Sequence, residues 1–201
     1  MLTNRQNKDV METKKELRQY IRTLKRAIPL DEKKLRSSDI WRRALEISEI
    51  KNAKTILLYW SMDDEVYTHD VVQTLAKNKT VLLPVVDGDD LRIKQFRGLE
   101  NMCAGEQFGI GEPTGDDFSG DIDVIVVPGV AFDRQCNRMG RGRGFYDRLL
   151  KSQNATRIGV AFDFQLFDKI PTEPFDVKMD LVVSEKETVA VKRVELSVEY
   201  Q

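Results

Sequence analysis

The sequence predicts a three-layer α/β domain built on a largely parallel central sheet. Three observations carry this expectation. Short β-branched runs recur at 55–60, 80–86, 122–127, 157–162 and 181–184, and runs that are apolar at nearly every position read as strands covered on both faces. Segments with helical spacing alternate with them. No internal repeat and no linker-like composition divides the 201 residues, so one domain over 1–201 is expected, with 1–8 as a frayed tail.

Composition narrows the function classes. Charged residues make up 32% of the chain, yet 32 basic against 33 acidic residues leave a net charge of −1. That balance argues against a generic nucleic-acid binder. The apolar runs are far too short to cross a bilayer, and the polar N-terminus has no signal-peptide core, so a soluble, cytoplasmic protein is expected. Balanced charge without a large apolar face makes a monomer the expectation. Cys103 and Cys136 form no CxxC pair, and the single histidine, His69, builds no zinc site with them.

Taken in order, Asp9 with Glu12 three residues on is a candidate cap for a helix to about Arg26, with the stripe Leu17, Ile21, Leu24 and Ile28. Lys14, Arg18 and Arg22 fall at spacing four and share a second face. Pro29 ends that helix, and Asp31 can cap another to about Ser48 with Leu35, Ile40, Trp41, Ala44 and Leu45 inward. The strand 55–60 leads through Met62, Asp64 and Glu65 to a helix that Thr68 can cap, which puts Glu65 beyond a strand's carboxyl end, where open α/β sheets gather ligands. His69 reads as a surface residue. Strand 80–86 ends in the turn 87–90, and 91–94 alternates like an edge strand. The long connection 98–120 contains Phe108, a candidate wall for a flat ligand. Beyond 157–162, the segment 165–171 is a short turn, and 188–194 can pair beside 181–184.

The chain's most informative stretch follows strand 122–127. Pro128-Gly129 ends the strand, Gly140, Gly142 and Gly144 then alternate with Met139, Arg141 and Arg143, and a helical pattern resumes at Phe145. Glycines between a buried strand and a helix start let backbone N–H groups converge on an anion, and the arginines add full charge, so the stretch reads as a polyphosphate cradle. The spacing is neither a Walker A loop nor a dinucleotide fingerprint. A solvated surface loop and an RNA-touching Arg-Gly segment are the competing readings. A phosphate cradle calls for a counter-ion. Asp147, one turn into the helix, and Asp176 are the carboxylate candidates for Mg2+ with ATP, and Asp147 also suits a helix start without any metal.

Five motifs occur in one order: Lys14-x-x-Leu17-Arg18, Asp64-Glu65-Val66-x-Thr68, Gly109-Ile110-x-Glu112-Pro113, Val127-Pro128-Gly129-x-Ala131-Phe132-Asp133, and Arg138-x-Gly140-x-Gly142-x-Gly144-x-Tyr146-Asp147. Together the chain resembles the 5-formyltetrahydrofolate cyclo-ligases over about residues 14–185. The resemblance implies that MgATP phosphorylates the formyl oxygen of 5-formyltetrahydrofolate, N10 closes the ring, and 5,10-methenyltetrahydrofolate, ADP and phosphate result. It implies that Lys14 and Arg18 contact ATP phosphates and that Arg138, Gly140, Arg141, Gly142, Arg143, Gly144, Phe145 and Tyr146 form the nucleotide loop. Arg143 and Tyr146 are the catalytic candidates, and Asp147 and Asp176 the magnesium-associated carboxylates. Glu65 would hold the pterin ring, with Met62, Phe108 and Tyr146 as walls. The small molecules 5-formyltetrahydrofolate and ATP are the only partners implied, with no nucleic acid and no membrane. Two departures stand out. Tyr67 replaces a usual Asp, which points to an altered substrate contact, and Cys136 stands where Gly is usual and could take positive φ freely. A sugar-phosphate isomerase or acyl-CoA transferase on a similar sheet, and a non-enzymatic folate- or nucleotide-binding module, remain the other readings.

Overall fold

A computed structural model describes residues 13–105 and 109–191. The expectations for 1–8, for Asp9 and Glu12, and for Phe108 lie outside these residues. Two helices come first, α1 (Lys14–Ala27) and α2 (Leu30–Ala44), then a short α3 (Ser48–Asn52). The cap of α1 is Thr13. Its Oγ1 accepts from the Glu16 N–H at 3.2 Å while Glu16 Oε2 accepts from the Thr13 N–H at 3.2 Å, a reciprocal capping box. The N-cap of α2 is Pro29 and not Asp31, and the helix stops at Ala44. Leu35, expected inward, is 68% exposed, because α2 turns Ile40, Trp41 and Ala44 to the sheet instead.

The sheet strands follow: β1 (Thr55–Leu57), helix α4 (His69–Leu75), then β2 (Thr80–Asp87) and β3 (Asp90–Gln95). Thr68 precedes α4 but does not cap it by side chain. Its hydroxyl donates to the Tyr59 carbonyl at 2.6 Å and accepts from the Ser61 N–H at 3.0 Å, which ties down the turn after β1. The segment expected to be a long loop contains a small hairpin, β4 (Met102–Ala104) with β5 (Gly111–Pro113). Next come β6 (Val124–Val127), β7 (Ala131–Asp133), β8 (Arg138–Met139) and helix α5 (Phe145–Lys151). The chain closes with β9 (Thr156–Val160), β10 (Leu166–Phe167), β11 (Leu181–Val183) and β12 (Thr188–Ala190).

The main sheet runs β12-β11-β9-β6-β1-β2-β3, with five parallel central strands and an antiparallel strand at each edge. Both faces are buried, and the side-chain period of two divides the apolar runs between them. Ile56, Leu58, Val81, Leu83, Val124 and Val126 pack against α2, α3 and α4. Leu57, Leu82, Ile125, Val127 and Val182 face α5 and Phe132. A three-stranded sheet, β10-β7-β8, extends this second layer, and α1 covers it through Leu17 and Ile21 against Ala131, Met139 and Phe167. The expected three layers are therefore present, the second one thinner and partly β.

Cys136 keeps the left-handed conformation that a glycine would take freely, at φ +59°, in the turn between β7 and β8. Its N–H donates to the Asp133 carbonyl and its carbonyl accepts from the Met179 N–H, so the turn is fixed from both sides. Its side chain is fully buried. Packing here offsets the backbone strain.

Candidate active site

The strand order reverses between β1 and β6. From β1 the chain moves outward to β2, and from β6 it moves the other way to β9 and β11. Such a switch point leaves a crevice at the strands' carboxyl ends. A cleft of about 290 Å³ opens there. Tyr59, Trp60, Met62 and Glu65 line it from the segment after β1, and Pro128 and Gly129 from the segment after β6. Pro84, Val86 and Leu91 give an apolar floor, while Arg138, Gly140, Arg141 and the run from Arg143 to Asp147 supply the charged wall.

The glycine-rich loop needs its glycines at two positions. Gly142 sits at φ +107° and Gly144 at φ +72°, where an L side chain is strained. A Cβ on Gly144 would also stand 2.9 Å from Arg148 Nη1. Helix α1 braces the loop, since Arg18 Nε donates to the Gly140 carbonyl at 3.0 Å and the guanidinium lies beside Gly142. Arg143 and Phe145 line the cleft, and Arg148 reaches back over the Phe145 ring and donates to the Arg143 carbonyl. Helix α5 has only seven residues, so cation and N–H placement outweighs any helix dipole here.

Arg138 and Asp147 form the buried hinge of this wall. Arg138 is 4% exposed; its Nη2 donates to Asp147 Oδ2 at 2.9 Å and its Nη1 to the Pro128 carbonyl at 3.2 Å. Asp147 Oδ1 also accepts from the Val177 N–H at 3.3 Å, which brings the loop 173–177 to the glycine-rich loop. On that loop Asp176 accepts from Lys14 at 2.7 Å, and Glu173 shares the same ammonium. Burial works against the Lys14 charge, but these carboxylates outweigh it and raise the Lys14 pKa. Burial, with Glu65 nearby, pushes the Tyr146 phenol well up, which favours its protonated form. Its ring lies 5.7 Å from the Arg138 guanidinium carbon.

Among the described residues no group of three or more metal-ligating side chains gathers. Of the two expected magnesium carboxylates, Asp147 lines the cleft, whereas Asp176 lies on the loop 173–177 that Asp147 contacts through the Val177 N–H. Each is now neutralised by a cation, Arg138 or Lys14.

On the opposite wall Glu65 Oε2 accepts from the Met62 N–H at 3.1 Å, and Glu65 Oε1 accepts from Arg141 at 3.0 Å. Arg141 also donates to Asp64 at 2.6 Å, so the glycine-rich loop reaches across to the turn after β1. Tyr67 does not face the cleft. Its backbone is bonded to Ser37 and Trp41 of α2 and its ring lies under Lys34, which removes the expected substrate-side role. His69 is not a surface residue either. It is half-buried, stacked on Trp60 at 3.9 Å, with Nε2 3.1 Å from the Ser61 carbonyl, and burial lowers its pKa.

Trp60, within the expected strand 55–60, lies beyond the end of β1 and lines the cleft. On α1 the buried cation is Lys25, whereas Arg22, which shares the spacing of Lys14 and Arg18, is exposed.

The fold and cleft together define the class: an α/β enzyme scaffold with a switch-point cleft, cations on one wall and carboxylates on the other. Within that class the chain belongs to the 5-formyltetrahydrofolate cyclo-ligase family, whose sequence profile matches residues 10–185. It is 34% identical over 181 residues to the 5-formyltetrahydrofolate cyclo-ligase of Haemophilus influenzae, covering 85% of this chain and 97% of that one. A probable cyclo-ligase of Caenorhabditis elegans is 28% identical, with 90% and 96% covered. The NMR structure of Aquifex aeolicus 5,10-methenyltetrahydrofolate synthetase superposes with a TM-score of 0.82 at 30% identity, covering 93% of this chain and 98% of that one. The synthetase of Mycoplasma pneumoniae, at 24% identity and a TM-score of 0.67, shares the fold, with 85% and 98% covered.

Proposed function

We propose that this protein cyclises 5-formyltetrahydrofolate to 5,10-methenyltetrahydrofolate, consuming ATP and releasing ADP and phosphate. The observation that carries the reading is the switch-point cleft in a chain of this family. A cationic glycine-rich loop, braced by Arg18, meets a half-apolar wall bearing Glu65 across a cleft of about 290 Å³.

In this reading Lys14, Arg18, Arg143 and the N–H groups of the glycine-rich loop hold the triphosphate. Glu65 accepts N–H groups of the pterin ring, with Met62 and Tyr146 beside it. The formyl oxygen attacks the γ-phosphorus and ADP leaves. N10 then attacks the formyl carbon, loses its proton, and the C–O bond breaks as phosphate departs. The difficulty is a poor leaving group made good, which calls for alignment and charge neutralisation more than a nucleophilic side chain. Arg143 neutralises charge on the transferring phosphoryl group. Tyr146, held neutral, donates to an oxygen of the reacting centre and never serves as a base. Mg2+ arriving with ATP would be held by Asp147 and Asp176 and would supply further neutralisation of phosphate charge.

The balance of 32 basic and 33 acidic residues supports a monomer that acts on small molecules. No helix among the described residues is long and apolar enough to cross a membrane. Mixing protein with 5-formyltetrahydrofolate, magnesium and ATP, and following the near-ultraviolet band of the methenyl product, tests the reading. Product that forms only with ATP supports it. No product from folded protein that still binds ATP refutes it and favours the binding-module alternative.

A further inference from the structure

Lys25 lies in the last turn of α1 and is only 4% exposed. A buried ammonium needs a counter-charge, and its ion pair is with Asp64 Oδ2 at 3.5 Å. Asp64 is already the partner of Arg141, whose guanidinium also holds Glu65. Four charges thus form a chain, Lys25–Asp64–Arg141–Glu65, running from α1 through the turn after β1 to the glycine-rich loop. Lys14, Arg18 and Lys25 follow helical spacing along one face of α1, and each grips a different segment around the cleft: the loop 173–176, the glycine-rich loop and the turn after β1.

We infer that Lys25 is a positioning residue that frees Arg141 for the nucleotide by sharing Asp64. The inference rests on the reading of the glycine-rich loop as the nucleotide loop. To meet a phosphate, Arg141 must exchange carboxylate partners for phosphate oxygens. Both its carboxylates pull it toward the opposite wall. The Lys25 ammonium pairs with Asp64 Oδ2 while Arg141 holds Oδ1, and it partly neutralises the carboxylate, so Arg141 is held less tightly. When Arg141 turns to phosphate, Lys25 remains to satisfy Asp64, and the turn bearing Glu65 keeps its place for the pterin ring. Lys25 touches neither substrate.

The electrostatics agree with the geometry. Burial lowers the Lys25 pKa, and Arg141 lowers it further, against the opposing pull of Asp64 and Glu65. Burial raises the Asp64 carboxyl, but Lys25 and Arg141 outweigh it and bring it below the usual range. The two cations compete for one carboxylate, which is the condition for one to release the other.

The test uses the full chain and three variants, with KM for ATP and for 5-formyltetrahydrofolate, kcat, the dissociation constant of MgADP by calorimetry, and thermal midpoints. Lys25→Met keeps the volume and removes the charge. It should raise the KM for ATP and the MgADP dissociation constant about 3- to 5-fold, the upper part of the range of one partly exposed ion pair, with kcat and folate KM within twofold. Lys25→Arg, which keeps the charge, should restore ATP affinity. Asp64→Asn covers the case in which Lys25→Met does not fold: with one carboxylate gone from Arg141, nucleotide binding should tighten relative to wild type. A Lys25→Met protein with a lowered thermal midpoint but unchanged nucleotide constants overturns the inference, as does an Asp64→Asn protein that binds nucleotide no more tightly. Wild-type protein without turnover would instead count against the proposed function itself.

Discussion

Replacing Asp147 by Ala tests the buried wall of the cleft and its proposed metal role in one variant. Asp147 is the one carboxylate in ion-pair range of Arg138 among the described residues, and the Arg138 side chain is 3% exposed. Its Nε has no hydrogen-bond partner among the described residues, so the loss leaves the guanidinium one hydrogen bond there, to the Pro128 carbonyl. Removing one member of a buried ion pair costs about 3–5 kcal/mol. The Asp147 side chain is 17% exposed, so water entering the gap recovers part of that, and about 2–3 kcal/mol is the expected loss. For a chain of this length that corresponds to a thermal midpoint about 5–10 °C lower. A magnesium role alone predicts an inactive variant with its fold intact; the ion pair with Arg138 adds a loss of stability. Circular-dichroism melts and the methenyl assay on the same preparation separate them. A midpoint within about 1 °C of wild type would refute the claim that Arg138 depends on Asp147. Near-normal turnover of the folded variant would refute the magnesium role.

Three further outcomes follow from single groups. Arg143→Ala should raise the KM for ATP about tenfold, the size of one charge-assisted contact, while leaving the folate KM unchanged; an unaltered ATP requirement removes Arg143 from the nucleotide site. Burial raises the pKa of both Tyr59 and Tyr146. Their neutral forms are favoured by the fold, so stability is full below the unfolded value of 10 and is lost as pH rises above it. Phenolate absorbance at pH about 11 should therefore fall short of five tyrosines until the chain unfolds, and a full signal from native protein contradicts their burial. Burial also pushes the Cys136 thiol up to about 11, whereas Cys103 is exposed. At pH about 8 a thiol reagent should label one cysteine in the native state and two after denaturation, and rapid labelling of both would contradict the packed turn at Cys136.

The parallel sheet was legible because its strands carry a strong signal. Ile56-Leu57-Leu58 and Val124-Ile125-Val126-Val127 are apolar on both faces, and only a covered central strand stabilises such a run. The switch point was half legible. The position of Glu65 after a strand and the glycines after another placed both walls, but the strand order that sets them side by side arises from non-local pairing. What failed were assignments decided by tertiary competition. Thr68 has the residue type of a cap, but its hydroxyl is taken by Tyr59 and Ser61. Leu35 has helical spacing and yet faces water, since α2 meets the sheet through Trp41 and Ile40. Lys25 was invisible because burial of a lysine depends on a carboxylate 39 positions along the chain, which no local pattern encodes.

The central claim is that the formyl oxygen is phosphorylated before the ring closes. The most direct test labels the formyl oxygen of 5-formyltetrahydrofolate with oxygen-18, runs one turnover with MgATP in ordinary water, and analyses the inorganic phosphate by mass. The account predicts that the label leaves in phosphate, matched to the methenyl product formed. Label released as water, with unlabelled phosphate, would contradict it and would mean that ATP hydrolysis and ring closure proceed without a phosphorylated formyl group.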